Sequence, residues 1–181
     1  MHKNFLKKYY FISNFEPNNI KNIDANTSII YRNYNSSNNY PEIIKVKQYC
    51  NEKGIKFFLS NDLKLAIRLN CDGIYLPSFN NKILTKGIKL KQNFEILGSA
   101  HNLKEIRQKE NQGVKTLFIS SIFKKNKNFL GIYRFISLIK FTKCKTIALG
   151  GVSDKNIKFL NLVNLDGFAG ISFFQKKTPS K

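Results

Sequence analysis

A chain of 181 residues is long enough for one domain with a sizeable core. With 42% hydrophobic and 23% charged residues it is neither a disordered polymer nor a membrane-embedded one. The 31 Lys and Arg against 11 Asp and Glu leave a formal charge of +20, which suits an anionic partner: nucleic acid, a membrane surface or a phosphorylated small molecule.

In chain order the main signal is a short β-branched or aromatic run, then a helical stretch, then another run. The runs are 9–13 (YYFIS), 28–32 (SIIYR), 56–60 (KFFLS) and 73–76 (GIYL). They continue as 94–98 (FEILG), 116–120 (TLFIS), 146–149 (TIAL) and 167–172 (GFAGIS). They are nearly continuous apolar runs, as expected of parallel strands buried on both faces. Between them, 42–53, 62–69, 103–112, 132–141 and 154–163 carry apolar residues at helical spacing, whereas 14–25 is a poor helix. Asn61/Asp62, Asn102 and Ser153/Asp154 stand where N-caps belong. Eight such units predict a pared-down (β/α)₈ barrel of a single domain over 1–181, with free ends at 1–8 and 175–181. A doubly wound open sheet is the alternative.

The lysines are scattered along the chain instead of clustering in one arm, which argues for a solvated basic surface over a nucleic-acid interface. Cys50, Cys71 and Cys144 stand far apart with no paired spacing, so neither a disulfide framework nor a zinc site is expected. The basic start lacks an uninterrupted apolar region, and no stretch is apolar enough to span a bilayer. A cytoplasmic protein off the membrane is expected, and a homo-oligomer stays open.

In a barrel of this kind the site forms from residues just past the strand ends. Those residues are Arg32-Asn33-Tyr34, Asn61-Asp62, Pro77-Ser78-Phe79-Asn80, Gly98-Ser99-Ala100-His101, Ser120-Ser121 with the run Lys124 to Lys127, Gly150-Gly151-Val152, and Gly170 with Ser172. Gly150-Gly151 ahead of a capped helix lets backbone N–H groups approach an anion, although a tight turn alone would also use two glycines. Arg32 ends an otherwise apolar strand, where a charge is costly unless it faces a ligand. Asp62 reads equally as a helix cap or a metal ligand, and Lys124 to Lys127 as a solvated loop or a phosphate contact. No nucleophile–base triad is visible around His101.

In order around the barrel, Arg32, Asn61-Asp62 with Leu65-Ala66, Asp72-Gly73-Ile74-Tyr75-Leu76, Gly98 to His101, Ile147 to Val152 and Gly167 to Ser172 resemble the thiamine phosphate synthase family and its TenI-type relatives. The resemblance implies a (β/α)₈ fold and coupling of an aminopyrimidine methyl diphosphate to a thiazole phosphate with release of pyrophosphate. It implies that Arg32 clamps the diphosphate and that Asn61 and Ser99 contact the pyrimidine. Asp62 would then hold Mg²⁺, and Lys125 and Lys127 would reach phosphate. The backbones of Gly151, Ile171 and Ser172 would take the thiazole phosphate.

Three departures stand out. Arg32-Asn33-Tyr34 lacks the family's lysine; Leu76 to Asn80 lacks its second Mg²⁺ carboxylate; and Lys124-Lys125-Asn126-Lys127 replaces its Thr-x-Thr-Lys loop. Magnesium affinity should therefore fall. The expected partners are phosphorylated small molecules. Three readings follow: a synthase-like transferase, a TenI-type thiazole tautomerase that needs no metal, or a non-catalytic phosphate-ligand or nucleic-acid binder.

Overall fold

The β-branched and aromatic runs become strands because their side chains are buried on both faces, and a parallel sheet with two covered faces must either be flanked by helices or close on itself. Here it closes. The computed structural model describes residues 6–21, 23–34, 39–83 and 87–175. Its strands are β1 (Lys7–Ile12), β2 (Thr27–Tyr31), β3 (Phe57–Ser60), β4 (Gly73–Leu76), β5 (Glu95–Ala100), β6 (Thr116–Ser120), β7 (Lys145–Leu149) and β8 (Gly167–Gly170). They form one closed parallel barrel in chain order, in which β1 pairs with both β2 and β8. The open sheet is thereby excluded.

Side chains alternate along each strand, so every second residue enters the barrel. Tyr9, Phe11, Ile30, Phe58, Tyr75, Leu97, Phe118, Ile147 and Ala169 form that inner cluster. Phe118 is its centre, meeting Tyr9, Phe11 and Tyr75 edge-on at 4.9, 5.9 and 5.5 Å. The intervening residues face outward into two further clusters under the helices. One, around Ile29, Tyr31, Phe57 and Cys71, receives α2 (Tyr40–Glu52) and α3 (Leu63–Arg68). The other, around Leu117, Ile119, Ala148 and Phe168, receives α4 (Leu103–Asn111) and α5 (Gly131–Ile139).

The poor helix at 14–25 is one turn, α1 (Pro17–Ile20). Asp62 and Asn102 cap as expected, accepting from the N–H groups of Leu65 and Glu105. The last expected helix is corrected: Ile157–Leu162 is 3₁₀, with no side-chain cap. Asn156 turns its side chain back instead, accepting from Ser153 N at 2.9 Å and donating to Gly151 O at 2.8 Å. That tie fixes the turn after β7 and leaves Ser153 and Asp154 without the capping role. The N-terminal free end is also shorter than expected, because Lys7 and Lys8 belong to β1 and Lys7 N donates to Asp166 O at 2.9 Å. Of the expected free ends, 1–5 and 176–181 lie outside the described residues. Cys50 and Cys71 are free and buried, and Cys144 is free and partly buried. No helix among the described residues is long and apolar enough to cross a membrane.

Candidate functional site

The alternation that fills the barrel also builds its C-terminal mouth. Two residues beyond Ile30, Phe58, Leu97, Phe118 and Ala169 stand Arg32, Ser60, Ser99, Ser120 and Ile171, and the same period turns them toward the axis. Three of these are small hydroxyl residues, so the aromatic core stops below the rim. Tyr75 rises among them and hydrogen-bonds with Ser99, its hydroxyl held neutral to higher pH by burial. Sequence reading placed Ser120 at a strand end but missed Ser60; only the strand register reveals that both share the rim with Ser99.

Arg32 directly follows β2. Its main chain is pinned by Arg32 N donating to Ile12 O at 2.7 Å, and its guanidinium lies 5.2 Å from the Phe11 ring centre. A guanidinium stacked on an aromatic face keeps its in-plane donors free for a planar or tetrahedral anion. Arg32 and Ile171 line one cavity of about 130 Å³, together with Asn14, Glu16, Asn19 and Gln175. The loop above β1 is held by Glu42, which accepts from Phe15 N at 2.7 Å and from the Tyr31 hydroxyl at 2.6 Å.

The corner at β7 is shaped by the loop after β6. Ile122 N donates to Leu149 O at 3.0 Å, and Phe123 N and Lys124 N donate to Gly150 O at 2.9 and 3.1 Å. The loop is thus strapped across Gly150-Gly151. Both glycines have positive φ, 103° and 77°. A Cβ on Gly151 would lie 2.6 Å from Lys124 N, and one on Gly150 would run into Ser121. So the glycine pair is required by this strapping in addition to any ligand. Among the described residues the N–H groups of Gly151 and Ser172 donate to no acceptor. Lys125 and Lys127 are exposed, and among the described residues neither side chain makes a hydrogen bond or ion pair.

On the opposite rim the polar residues are engaged with one another. Asp62 Oδ1 accepts from Leu65 N at 2.9 Å, the cap reading of the sequence. Asn61, at φ 66°, accepts at Oδ1 from Asn80 Nδ2 at 2.6 Å. Asn80 Oδ1 in turn accepts from Lys82 N at 2.9 Å. Magnesium takes oxygen ligands in near-octahedral geometry. This rim offers one capping carboxylate and, at Asn80, an amide that turns its N–H toward Asn61. The residues present do not fit a protein-built magnesium site.

Arg32, Ser99 and Ile171 are therefore gathered at one mouth, with Gly151 at the β7 corner. Asn61 and Asp62 belong to the rim but are tied locally, and the two lysines are exposed.

A family model described as thiamine monophosphate synthase matches residues 21–174. The chain belongs to that family. A thiamine-phosphate synthase from Pyrococcus horikoshii is 26% identical over 132 residues, covering 71% of this chain and 63% of that protein. One from Lactococcus lactis is 26% identical over 143 residues, covering 76% and 66%. The alignments thus span just under two thirds of these two curated relatives. A solved thiamine phosphate pyrophosphorylase from Pyrococcus furiosus superposes with a TM-score of 0.76 at 22% identity, over 93% of this chain and 87% of that one, which shows the shared fold. Of the three departures from the family pattern, Tyr34 and the amide of Asn80 stand on one side of the mouth, with Phe79 between them.

Proposed function

We propose that this chain is a thiamine phosphate synthase-like transferase, joining an aminopyrimidine methyl diphosphate to a thiazole phosphate with release of pyrophosphate. The observation that carries the reading is the shared rim: Arg32 and Ile171, on strands flanking β1, line one cavity. In the reaction the bond from the methylene carbon to the diphosphate oxygen breaks and its electron pair leaves on pyrophosphate. The thiazole nitrogen lone pair then closes the new C–N bond. Arg32 meets the charge that builds up on the leaving group, as a bidentate guanidinium does well. The N–H groups of Gly151 and Ser172 take the thiazole phosphate, and Ser99 and Asn61 orient the pyrimidine. The aromatic floor made by Phe11, Tyr75 and Phe118 keeps water away from the cation before capture.

The test is to combine the purified chain with both phosphorylated substrates, with and without Mg²⁺, and to assay thiamine phosphate. Product is expected, and Arg32→Ala lowers its rate by about a hundredfold, the scale of losing one charge-stabilising donor. Absence of product from folded protein rejects the transferase. A second reading, the TenI-type thiazole tautomerase, is favoured by the Asn80–Asn61 hydrogen bond, because an amide stands where a metal-binding carboxylate would serve a diphosphate. Metal-independent interconversion of thiazole phosphate tautomers, without thiamine phosphate formation, selects it.

A further inference from the structure

Two aromatic side chains stand at the mouth: Tyr34, where the family resemblance leads one to expect a lysine, and Phe79, next to Asn80, where it leads one to expect a carboxylate. Tyr34, from the loop after β2, and Phe79, from the loop after β4, meet edge to face with centroids 5.5 Å apart and planes at 80°. They bridge the end of β3, where the Tyr34 hydroxyl and Ser60 Oγ are 2.8 Å apart. Yet Tyr34 is 47% exposed and Phe79 61% exposed. Two rings set edge to face cover only one of their four faces, so this pair leaves aromatic area open toward the rim. Arg32 is near enough to act electrostatically on Tyr34 and on Tyr75, which places the pair beside the anion-binding guanidinium.

The loop carrying Phe79 is anchored from below by an unusual device. Lys109 of α4 is fully buried. Its Nζ donates to Asn80 O at 2.7 Å and to Gln112 Oε1 at 2.9 Å. Gln112 Nε2 donates to Lys82 O at 2.7 Å and to Asn80 O at 3.0 Å. Burying an ammonium is costly, and here it secures the residue next to Phe79, while Asn80 Nδ2 ties the same loop to Asn61. The backbone next to the ring is thus held in place. Rigid aromatic surface at a ligand mouth binds at low entropic penalty.

We infer that Tyr34 and Phe79 form a stacking platform that selects a planar heteroaromatic ring carrying a phosphate. The ring lies against the pair while its phosphate reaches toward Arg32, which acts electrostatically on Tyr34. An aromatic face carries negative quadrupole density, so it disfavours a bare phosphate and favours a flat, electron-poor ring. The inference rests on the phosphate-ligand reading above and adds to it the residues that recognise the ring. A phosphorylated chain without a ring would find the anion corner and miss the platform.

The experiment compares an aminopyrimidine methyl phosphate, butyl phosphate and inorganic phosphate by titration calorimetry on the full chain. The wild type binds the aminopyrimidine phosphate at least tenfold more tightly than the other two. Phe79→Ala lowers aminopyrimidine phosphate affinity about tenfold, the scale of losing one stacking partner, and leaves inorganic phosphate within twofold. Tyr34→Phe, which keeps the ring and loses only the hydroxyl, retains most of the selectivity. Phosphate binding without any advantage for the ring overturns the platform and leaves the anion corner standing. Equal losses for all three ligands in Phe79→Ala also overturn it, by reducing the residue to a support. If no phosphate ligand binds folded wild-type protein, the functional reading fails and the platform with it.

Discussion

The quarter of the barrel containing β3 and β4 and the quarter containing β7 and β8 are framed alike at the bottom and differ at the top. Below, Asn70-Cys71-Asp72-Gly73 matches Asn164-Leu165-Asp166-Gly167. Asp72 Oδ2 accepts from Phe57 N at 2.9 Å, and Asp166 Oδ2 accepts from Thr146 N at 2.7 Å. The backbone oxygens of the same two residues accept from the next strand, Glu95 N at 3.0 Å and Lys7 N at 2.9 Å. Each Asp thus joins two neighbouring strands at their entry points. Above, one quarter presents Asn61, Asp62 and Asn80, whose side chains are tied to one another or to a helix, beside the exposed ring of Phe79. The other presents Gly151 and Ser172, whose backbone N–H groups meet no acceptor among the described residues. What repeats is what barrel closure requires, and what differs lies at the mouth.

The sharpest way to break the likeness below is at the paired glycines. A Cβ on Gly73 would run into the Glu95 carbonyl and one on Gly167 into that of Lys7. Backbone cannot yield there without parting two strands. Gly73→Ala and Gly167→Ala are each expected to abolish cooperative thermal unfolding, and a normal transition in either shows that the two frames are not equivalent. A smaller and matched effect belongs to the carboxylates. Asp72→Ala and Asp166→Ala should each lower stability by about 1 kcal/mol, the net worth of a backbone N–H bond at a solvent-accessible edge. Denaturant unfolding that finds the two losses more than twofold apart would show that only one Asp secures its strand pair.

At the top, Asn80→Asp turns the tied rim toward the metal chemistry it lacks. It removes the Nδ2 donor to Asn61 and sets a second carboxylate near Asp62. Magnesium affinity measured with pyrophosphate present should rise about tenfold, and no rise would show that something other than the amide keeps a metal from this rim.

The gentlest probe is pH. Burial pulls the Lys109 ammonium down to about 8, against an ordinary value of 10.5. Between those values the unfolded chain binds the proton that the folded chain has released, so Lys109 adds stability as pH rises through this window. Burial acts oppositely on two thiols, raising Cys50 to about 12 and Cys71 to about 11 from 9.0. Their ionisation on unfolding removes stability above pH 9. The wild type should therefore gain a few degrees in Tm from pH 7.5 to 9 and lose them above. Lys109→Met should lack the rise and keep the fall; a rise that survives it belongs to another group.

The order of the strands and most of the rim were legible in the chain itself. Continuous apolar runs at a period of about two dozen residues admit few arrangements, and Arg32, Asn61, Ser99, Ser120 and Gly151 follow directly from where those runs end. The cap at Asp62 was legible as one of two readings, because an Asp two residues before a helix's apolar stripe serves both. Lys109 was not legible. In sequence it is one more lysine on an amphipathic helix, and only the packing of α4 against Gly98, which leaves room along the sheet, sends its side chain up beneath Asn80. The 3₁₀ turn at Ile157–Leu162 escaped for a related reason, since helical spacing is scored locally while Asn156 binds backward to Gly151.

Alone, then, the sequence determined the class of the fold and the strand ends at which chemistry gathers. Those properties depend on hydrophobic period and on residues close together in the chain. Tertiary structure decided that the ring closes through β1 and β8 and that serines from β3, β5 and β6 share a rim. It also decided that Tyr34 meets Phe79, and that a buried ammonium holds the loop beside them. Each of these is a contact between residues far apart in the chain, whose geometry exists only after the barrel's twist and register have brought them together.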